Sequence, residues 1–355
     1  MKILSAFSRG IRLWLIMFLL SVIPIAVFPQ AGKPAVPKAN LELKETKAKA
    51  KKGDAEAQFN LGVMYANGQG VPQDYKEALK WFRLAADQGM AGAQNALGGM
   101  YFEGLGVPQD YAEALKWIRK AADQGNAEVQ SNLGVMYATG QGVALDYKEA
   151  VKWHRKAADQ GDAEAQYNLG MMYGKGNGVA QDYAEAVKWF RKAADQGNPQ
   201  AQSNLGGMSF EGQGVPQDYT EAVKWFRLAA DQGFAQAQSN LGEMYDKGNG
   251  VAQDYKEAVK WFRKAAAGGQ IDAAVTLGNI YSDVSSVTPD NVEAFTWYSV
   301  AAAHGHKLSE VLRKGVERKL SPDALAEGKR RVEQILARQT PSGTNPAAGA
   351  PKKGP

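Results

Sequence analysis

The residues in this sequence with the types and spacing for chemistry are acidic pairs. Asp74 and Glu77, Asp110 and Glu113, Asp146 and Glu149, Asp182 and Glu185, Asp218 and Glu221, Asp254 and Glu257, and Asp290 and Glu293 each lie three residues apart. Two carboxylates held close together are the raw material of general acid–base catalysis. Three histidines, His154, His304 and His306, complete the proton-transfer inventory. His304 and His306 could both reach one metal ion, but two ligands on one turn make a weak site. His154 stands where other copies of its segment carry phenylalanine, so a packed or surface imidazole is the default there. The chain has no cysteine, which excludes disulfides, thiolate metal sites and a cysteine nucleophile. It contains no H-E-x-x-H, phosphate-binding loop, dinucleotide fingerprint or G-x-S-x-G motif. No residue is therefore assigned a catalytic, cofactor-binding or metal-binding role, no cofactor is expected, and the chain reads as a non-enzyme.

The elements that carry the pairs explain them better than catalysis does. Seven tryptophans, from Trp81 through Trp117, Trp153, Trp189, Trp225 and Trp261 to Trp297, recur every 36 residues. This period divides residues 54–305 into units 54–89, 90–125, 126–161, 162–197, 198–233, 234–269 and 270–305. Each reads as two helices. Ala57, Leu61, Met64 and Tyr65 fall on one face of the first, and Gly68-Gln69-Gly70 breaks it. Asp74 opens the second helix with Glu77 three residues on, the pattern of a capping box. Ala78, Trp81, Phe82, Ala85 and Ala86 form its apolar side, opposite Lys80, Arg83 and Asp87, and Gly89 stops it. A 36-residue hairpin cannot bury both faces alone, so neighbours must stack. The seventh unit departs at 282–289, where SDVSSVTP replaces the glycine loop, and Asn291 replaces a tyrosine.

The recurring pattern A-x-x-x-L-G-x-M-Y, G-x-G-V-x-x-D and E-A-x-x-W-F-x-x-A-A-x-x-G resembles the sel-one-like repeat (SLR) family, a branch of the tetratricopeptide-like helical repeats. The resemblance covers residues 54–305. It implies an all-α fold, a right-handed α/α superhelix or solenoid with a concave surface lined by the first helices. It also implies a role in protein–protein interaction and scaffolding, in bacterial members often outside the cytoplasm. Cysteine-rich relatives are known as β-lactam-binding or hydrolysing proteins. This chain lacks both their cysteine framework and an S-x-x-K serine, so that activity does not carry over.

The ends differ from the array. Residues 1–12 hold Lys2, Arg9 and Arg12, and an uncharged stretch, Leu13 to Gly32, follows. This is the layout of an export signal, and it is also near the ~20 residues that span a bilayer. Residues 1–31 are expected to be a signal peptide or an N-terminal membrane anchor, with attachment through 13–31 in the second case. Residues 32–39 read as a linker and 40–53 as a basic cap helix. Downstream, helices are expected over 308–320 and 323–338, within a cap spanning 306–339, with Leu325, Val332, Ile335 and Leu336 as the apolar stripe. Residues 340–355 have the composition of a disordered tail. The formal net charge of +5 divides unevenly: +3 over 1–31, +5 over 32–53, −9 over the repeats and +6 over 306–355. An acidic array argues against a nucleic-acid partner. The basic stretch after the apolar run could touch anionic lipid, although a solvated cap helix is the simpler reading.

Comparing the seven units with one another marks the positions that change. On the first helix these lie opposite the constant face on a helical wheel, and in tetratricopeptide-like folds the matching positions line the concave groove. They include Phe59, Val63, Asn95, Phe102, Tyr167, Met171 and Phe210, turning to Glu243 and Asp246 in the sixth unit. Phe102, Tyr167 and Phe210 are expected to be exposed anchors for a protein partner, against the alternative of drift on a solvated surface. Asn60, Asn132, Asn168, Asn204 and Asn240 form a ladder that could hold a ligand backbone; hydrogen bonding between repeats is the stronger reading, favoured by the recurring Gln58, Gln94, Gln130, Gln166, Gln202 and Gln238. The sequence thus points to an exported scaffold or adaptor of the bacterial envelope, periplasmic, anchored in the inner membrane facing the periplasm, or secreted. The alternatives are a periplasmic regulator of a membrane sensor or exopolysaccharide system and, with no polar pocket to support it, an envelope enzyme.

Overall fold

A computed structural model describes residues 36–282 and 289–339, with side chains from Leu43 onward. The segments expected to be signal or anchor and disordered tail, and all but the edges of the altered seventh loop, lie outside the described residues. Among those described there are seventeen helices and no strand. The chain divides into two units, the first ending at Gln196 and the second starting at Gly197.

The first unit opens with α1, Val36–Lys51. It begins four residues earlier than the expected Asn40, so part of the presumed linker is helical. Pro37 sits in the first turn, where its missing N–H has no helical acceptor to lose. Four hairpins follow: α2 (Ala55–Asn67) with α3 (Tyr75–Asp87), α4 (Ala91–Glu103) with α5 (Tyr111–Asp123), α6 (Ala127–Thr139) with α7 (Tyr147–Asp159), and α8 (Ala163–Lys175) with α9 (Tyr183–Asp195). The second unit holds α10 (Pro199–Glu211) with α11 (Tyr219–Asp231), α12 (Ala235–Lys247) with α13 (Tyr255–Ala267), and α14 (Ile271–Ser282) with α15 (Asn291–Ala303), then α16 (Lys307–Glu317) and α17 (Pro322–Gln339). Within each unit, consecutive helices pack against one another as far as α16, and α17 folds back onto α15.

Two glycine positions set the geometry of the hairpin and its stacking. Gly62 lies so close to Phe82 that a Cβ there would stand 2.6 Å from the ring, so the first helix approaches the second through a missing side chain. Phe82 is fully buried as a result, worth about 2–3 kcal/mol of transfer free energy. Gly106 adopts φ +71°, and a Cβ there would meet the backbone of Tyr75 at 2.5 Å, so the loop of one repeat rests on the second-helix start of the one before.

The C-terminal helices follow the same rules. Asp290 still caps α15, accepting from the Val292 N–H at 2.9 Å and the Glu293 N–H at 3.1 Å. Pro322 opens α17 after Ser321, which accepts from the Ala324 N–H at 3.3 Å. Val332, Ile335 and Leu336 cover the cluster around Phe262, Leu277 and Trp297, while Leu325 packs with Phe295, Tyr298 and Val316.

Candidate functional site

The carboxylate pairs are occupied by the fold. Asp74 Oδ1 accepts from the Lys76 and Glu77 N–H groups at 2.9 and 3.1 Å. Only half of the expected capping box forms. The Asp74 N–H is already donated to the Tyr65 carbonyl at 2.9 Å, as the Asp146 N–H is to Tyr137 and the Asp254 N–H to Tyr245. The glutamate is therefore free to turn along its own helix, where it accepts from the indole N–H four residues on. Trp117 donates to Glu113 at 3.1 Å, Trp153 to Glu149 at 3.2 Å, Trp189 to Glu185 at 3.0 Å and Trp297 to Glu293 at 2.8 Å. The lysine three residues on adds an ion pair, as Lys116 does to Glu113 at 2.9 Å. Its hydrogen bond leads the causes that hold the Glu113 carboxyl below the usual range. In α15, Glu293 collects Arg263 at 2.9 Å and Arg331 at 2.8 Å as well.

The histidines are structural too. His154 is buried with its ring against Gly134, and its Nδ1 has no hydrogen-bond partner. Burial lowers its pKa to about 4. His304 Nε2 meets Gln339 at 2.8 Å, and His306 caps α16, its Nδ1 accepting from the Ser309 N–H at 3.2 Å. Among the described residues no group of three or more histidine, aspartate or glutamate side chains could hold a metal.

Two ladders that the period implies but the helical wheel does not reveal join the repeats. Gln94 Nε2 donates to the Ala86 carbonyl of the preceding repeat at 3.2 Å, and Gln94 Oε1 accepts from Gln124 Nε2 at 2.8 Å; Gln130, Ala122 and Gln160 repeat the arrangement. The glutamines thus bridge adjacent repeats, as expected. The asparagines do not share one role: Asn240 accepts from Gln236 one turn earlier at 3.0 Å, and the Nδ2 of Asn168 is buried without a partner. The second ladder is Arg83 to the Tyr101 hydroxyl, Arg119 to Tyr137, Arg155 to Tyr173, and in the second unit Arg227 to Tyr245 and Arg263 to Tyr281. Each guanidinium also lies over the tyrosine ring, as Arg83 does 5.6 Å from the centroid of Tyr101. The signal for it was an arginine and a tyrosine recurring 18 residues apart.

The variable positions of the first helices divide by burial. In the first unit, Phe59 leans on Phe82 with ring centroids 5.6 Å apart, and Tyr167 on Phe190 at 5.8 Å. Phe102 meets Tyr111 edge-on at 5.2 Å, and in the second unit Phe210 meets Tyr219 at 5.1 Å. All four are half-buried, so Phe102, Tyr167 and Phe210 are not the fully exposed anchors the sequence suggested. The second helix crosses closely enough at the glycine to reach them. Val63 is buried, as are Ser131, Ser203 and Ser239. Asn95 is half-buried with its Oδ1 sequestered and unpartnered, and Met171 is half-buried. Glu243 pairs with Lys247 at 3.3 Å. Loss of water pushes the carboxyls of Glu243 and Asp246 above the usual range, and those of Glu164 and Glu211 with them, while it lowers the ammonium pKa of Lys175. The first-helix surface of each unit is thus a partly dehydrated lining of rings, amides and carboxylates.

The family model described as Sel1 repeat matches residues 55–90, 91–126, 127–162, 163–198, 199–234, 235–270 and 272–306. A crystal structure of a Sel1 repeat protein from Oxalobacter formigenes is 32% identical, covers 88% of this chain and 91% of its own, and superposes with a TM-score of 0.69. A protective antigen of uropathogenic Escherichia coli with an SLR fold is also 32% identical, covering 88% of this chain and 84% of its own, with a TM-score of 0.41. The secretory immunoglobulin A-binding protein EsiB of Escherichia coli O6:H1 is 39% identical over 67 residues, 19% of this chain and 13% of that protein. The chain therefore spans about an eighth of the length of that curated relative. Sel1 repeat proteins are generally scaffolds of protein–protein interaction. The seven matched repeats, each with its glycine approach, aspartate cap and buried alanine–aromatic face, make this chain a member of the Sel1 repeat family.

Proposed function

We propose that this protein is a non-enzymatic adaptor of the bacterial envelope that holds a partner protein on its first-helix surface. One observation carries the reading. The residues constant across the repeats are used in packing, capping and the two ladders, whereas the variable ones gather on the first helices as half-buried rings and dehydrated polar groups. A surface that has already lost part of its water gains from a segment that supplies apolar contact and complementary charge. Phe59, Val63, Asn95, Phe102, Tyr167 and Met171 are the lining of the first unit, with Val63 as its floor; Phe210, Glu243 and Asp246 are that of the second. The dehydrated carboxylates favour a partner segment carrying lysine or arginine there.

The basic start and apolar run of residues 1–31 support export, either as a cleaved signal or as an anchor. No helix among the described residues is long and apolar enough to cross a membrane. In-cell crosslinking of the tagged full-length chain, followed by fractionation, tests both parts. Recovery in the envelope with one crosslinked protein is the expected result. Recovery in the cytoplasm alone overturns export, and turnover of a substrate without a crosslinked protein overturns the adaptor.

A further inference from the structure

We propose that α1 is an electrostatic docking surface for membranes carrying anionic phospholipid. The helix buries Ala50 against Ala57 and Leu61 and tucks Leu43 beside them. That stripe accounts for one side only. Lys44, Lys47 and Lys51 stand at i, i+3 and i+7, on one face of the helix, where with Leu43 and Ala48 they line a shallow concavity. Lys44, Ala48, Lys49, Lys51 and Lys52 are exposed, and Lys47 is half-buried with its ammonium 5.7 Å from the centroid of Tyr65.

What marks this helix is that it gathers five described lysines without a counter-charge on one element. On the second helices one lysine sits beside a glutamate three residues earlier, as Lys152 does beside Glu149 at 3.0 Å and Lys188 beside Glu185 at 2.8 Å, and the next lysine on, Lys156 or Lys192, lies over a tryptophan ring. None of Lys44, Lys47, Lys49, Lys51 and Lys52 forms an ion pair with a described carboxylate, and Glu45 lies off the face of Lys44, Lys47 and Lys51, on the side of Lys49 and Lys52. A cap helix needs solubility, which mixed charges supply; a row of unneutralised ammonium groups around a small apolar floor also matches a plane of phosphodiesters above acyl chains.

The chain itself favours lipid over other polyanions. The uncharged stretch Leu13 to Gly32 ends four residues before Val36, a gap of at most about 14 Å when fully extended. Wherever that stretch meets a bilayer, the start of α1 is held within about 14 Å of the headgroups, and a helix lying along the surface brings its lysines into the range in which they sense surface charge. The net charge of −9 on the repeats repels a long nucleic acid.

Flotation of the purified full-length chain with vesicles tests this without any partner protein, so its outcome is separate from that of the adaptor reading. The vesicles are phosphatidylcholine alone or with about one-third phosphatidylglycerol. The apolar run contributes to both, so the readout is the ratio. At low salt the unmodified chain is expected to favour the anionic vesicles about tenfold or more, and about 0.5 M salt to remove the preference. K44Q/K47Q/K51Q is expected to lose it while keeping its binding to phosphatidylcholine. K44Q/K51Q/K52Q, which leaves Lys47 over Tyr65, guards against a folding defect and is expected to lose most of it. An unchanged preference in both variants, no preference in the unmodified chain, or tighter α1-dependent binding to a DNA duplex than to anionic vesicles would overturn the proposal.

Discussion

Gln339, the last residue of α17, donates its side-chain amide to the carbonyl of Ala266 at 2.6 Å. That carbonyl lies at the register where Ala86 accepts from Gln94 and Ala158 from Gln166. In the seventh repeat the glutamine position is Ala274, and its usual neighbour is His304 instead of glutamine. The C-terminal helix reaches back and supplies the missing amide, and His304 engages it at 2.8 Å as Gln124 engages Gln94.

Removing that amide leaves the Ala266 carbonyl without its side-chain donor. Q339A is expected to destabilise the second unit by about 1–2 kcal/mol and to raise amide exchange at the end of α13. Adding A274Q to Q339A restores the repeat's own arrangement and is expected to recover most of the loss, read by urea denaturation.

The indole–carboxylate bond supplies an internal control. E149A orphans the Trp153 N–H and is expected to cost about 1 kcal/mol or more. E77A is expected to cost less, because the Trp81 N–H already lacks a partner and the Glu77–Lys80 contact is long at 3.5 Å. Equal losses in chemical denaturation would contradict the assignment.

These contrasts show where the sequence was readable. The period and the aspartate caps depend on residues close in the chain, and their spacing alone located them; the contact of Gly62 with the Phe82 ring became visible only in the packed hairpin. Glu77 was misassigned because the capping box needs a free Asp74 N–H, and the Tyr65 carbonyl had taken it across the loop. Phe59 and Tyr167 read as outward-facing because a wheel of one helix does not show how near the second helix crosses. Gln339 was unreadable because its partner lies 73 residues away and depends on how α17 folds back.

His154 makes stability depend on pH. Its folded pKa is lowered to about 4 by burial, from the ordinary 6.5, so between those values the unfolded chain binds more protons. The stabilisation is fully present above pH 6.5, falls as pH drops through the window, and is gone below about 4, a loss of at most about 3 kcal/mol. H154F, which restores the ring found at Phe82 and Phe190, is expected to flatten this dependence. Denaturation midpoints of both proteins at neutral and mildly acidic pH check it.

Glycine at position 170 should resist the usual improvement. An alanine in a helix interior normally gains about 0.5–1 kcal/mol over glycine. At Gly170 a Cβ would stand 2.7 Å from the buried Phe190 ring, and overpacking costs about 1–3 kcal/mol. G170A is therefore expected to lower the melting temperature, while G207A, with nothing within 4 Å, is expected to raise it.

The adaptor reading rests on which surface meets the partner. Site-specific photocrosslinking in cells, with the probe placed in turn at Asn95 and Tyr167 on the first helices and at Lys152 and Lys188 on the outer face of the second, measures this directly. The account predicts one discrete crosslinked protein from the first-helix positions and none from the outer-face positions. Capture of that protein from Lys152 or Lys188 while Asn95 and Tyr167 stay silent would contradict it.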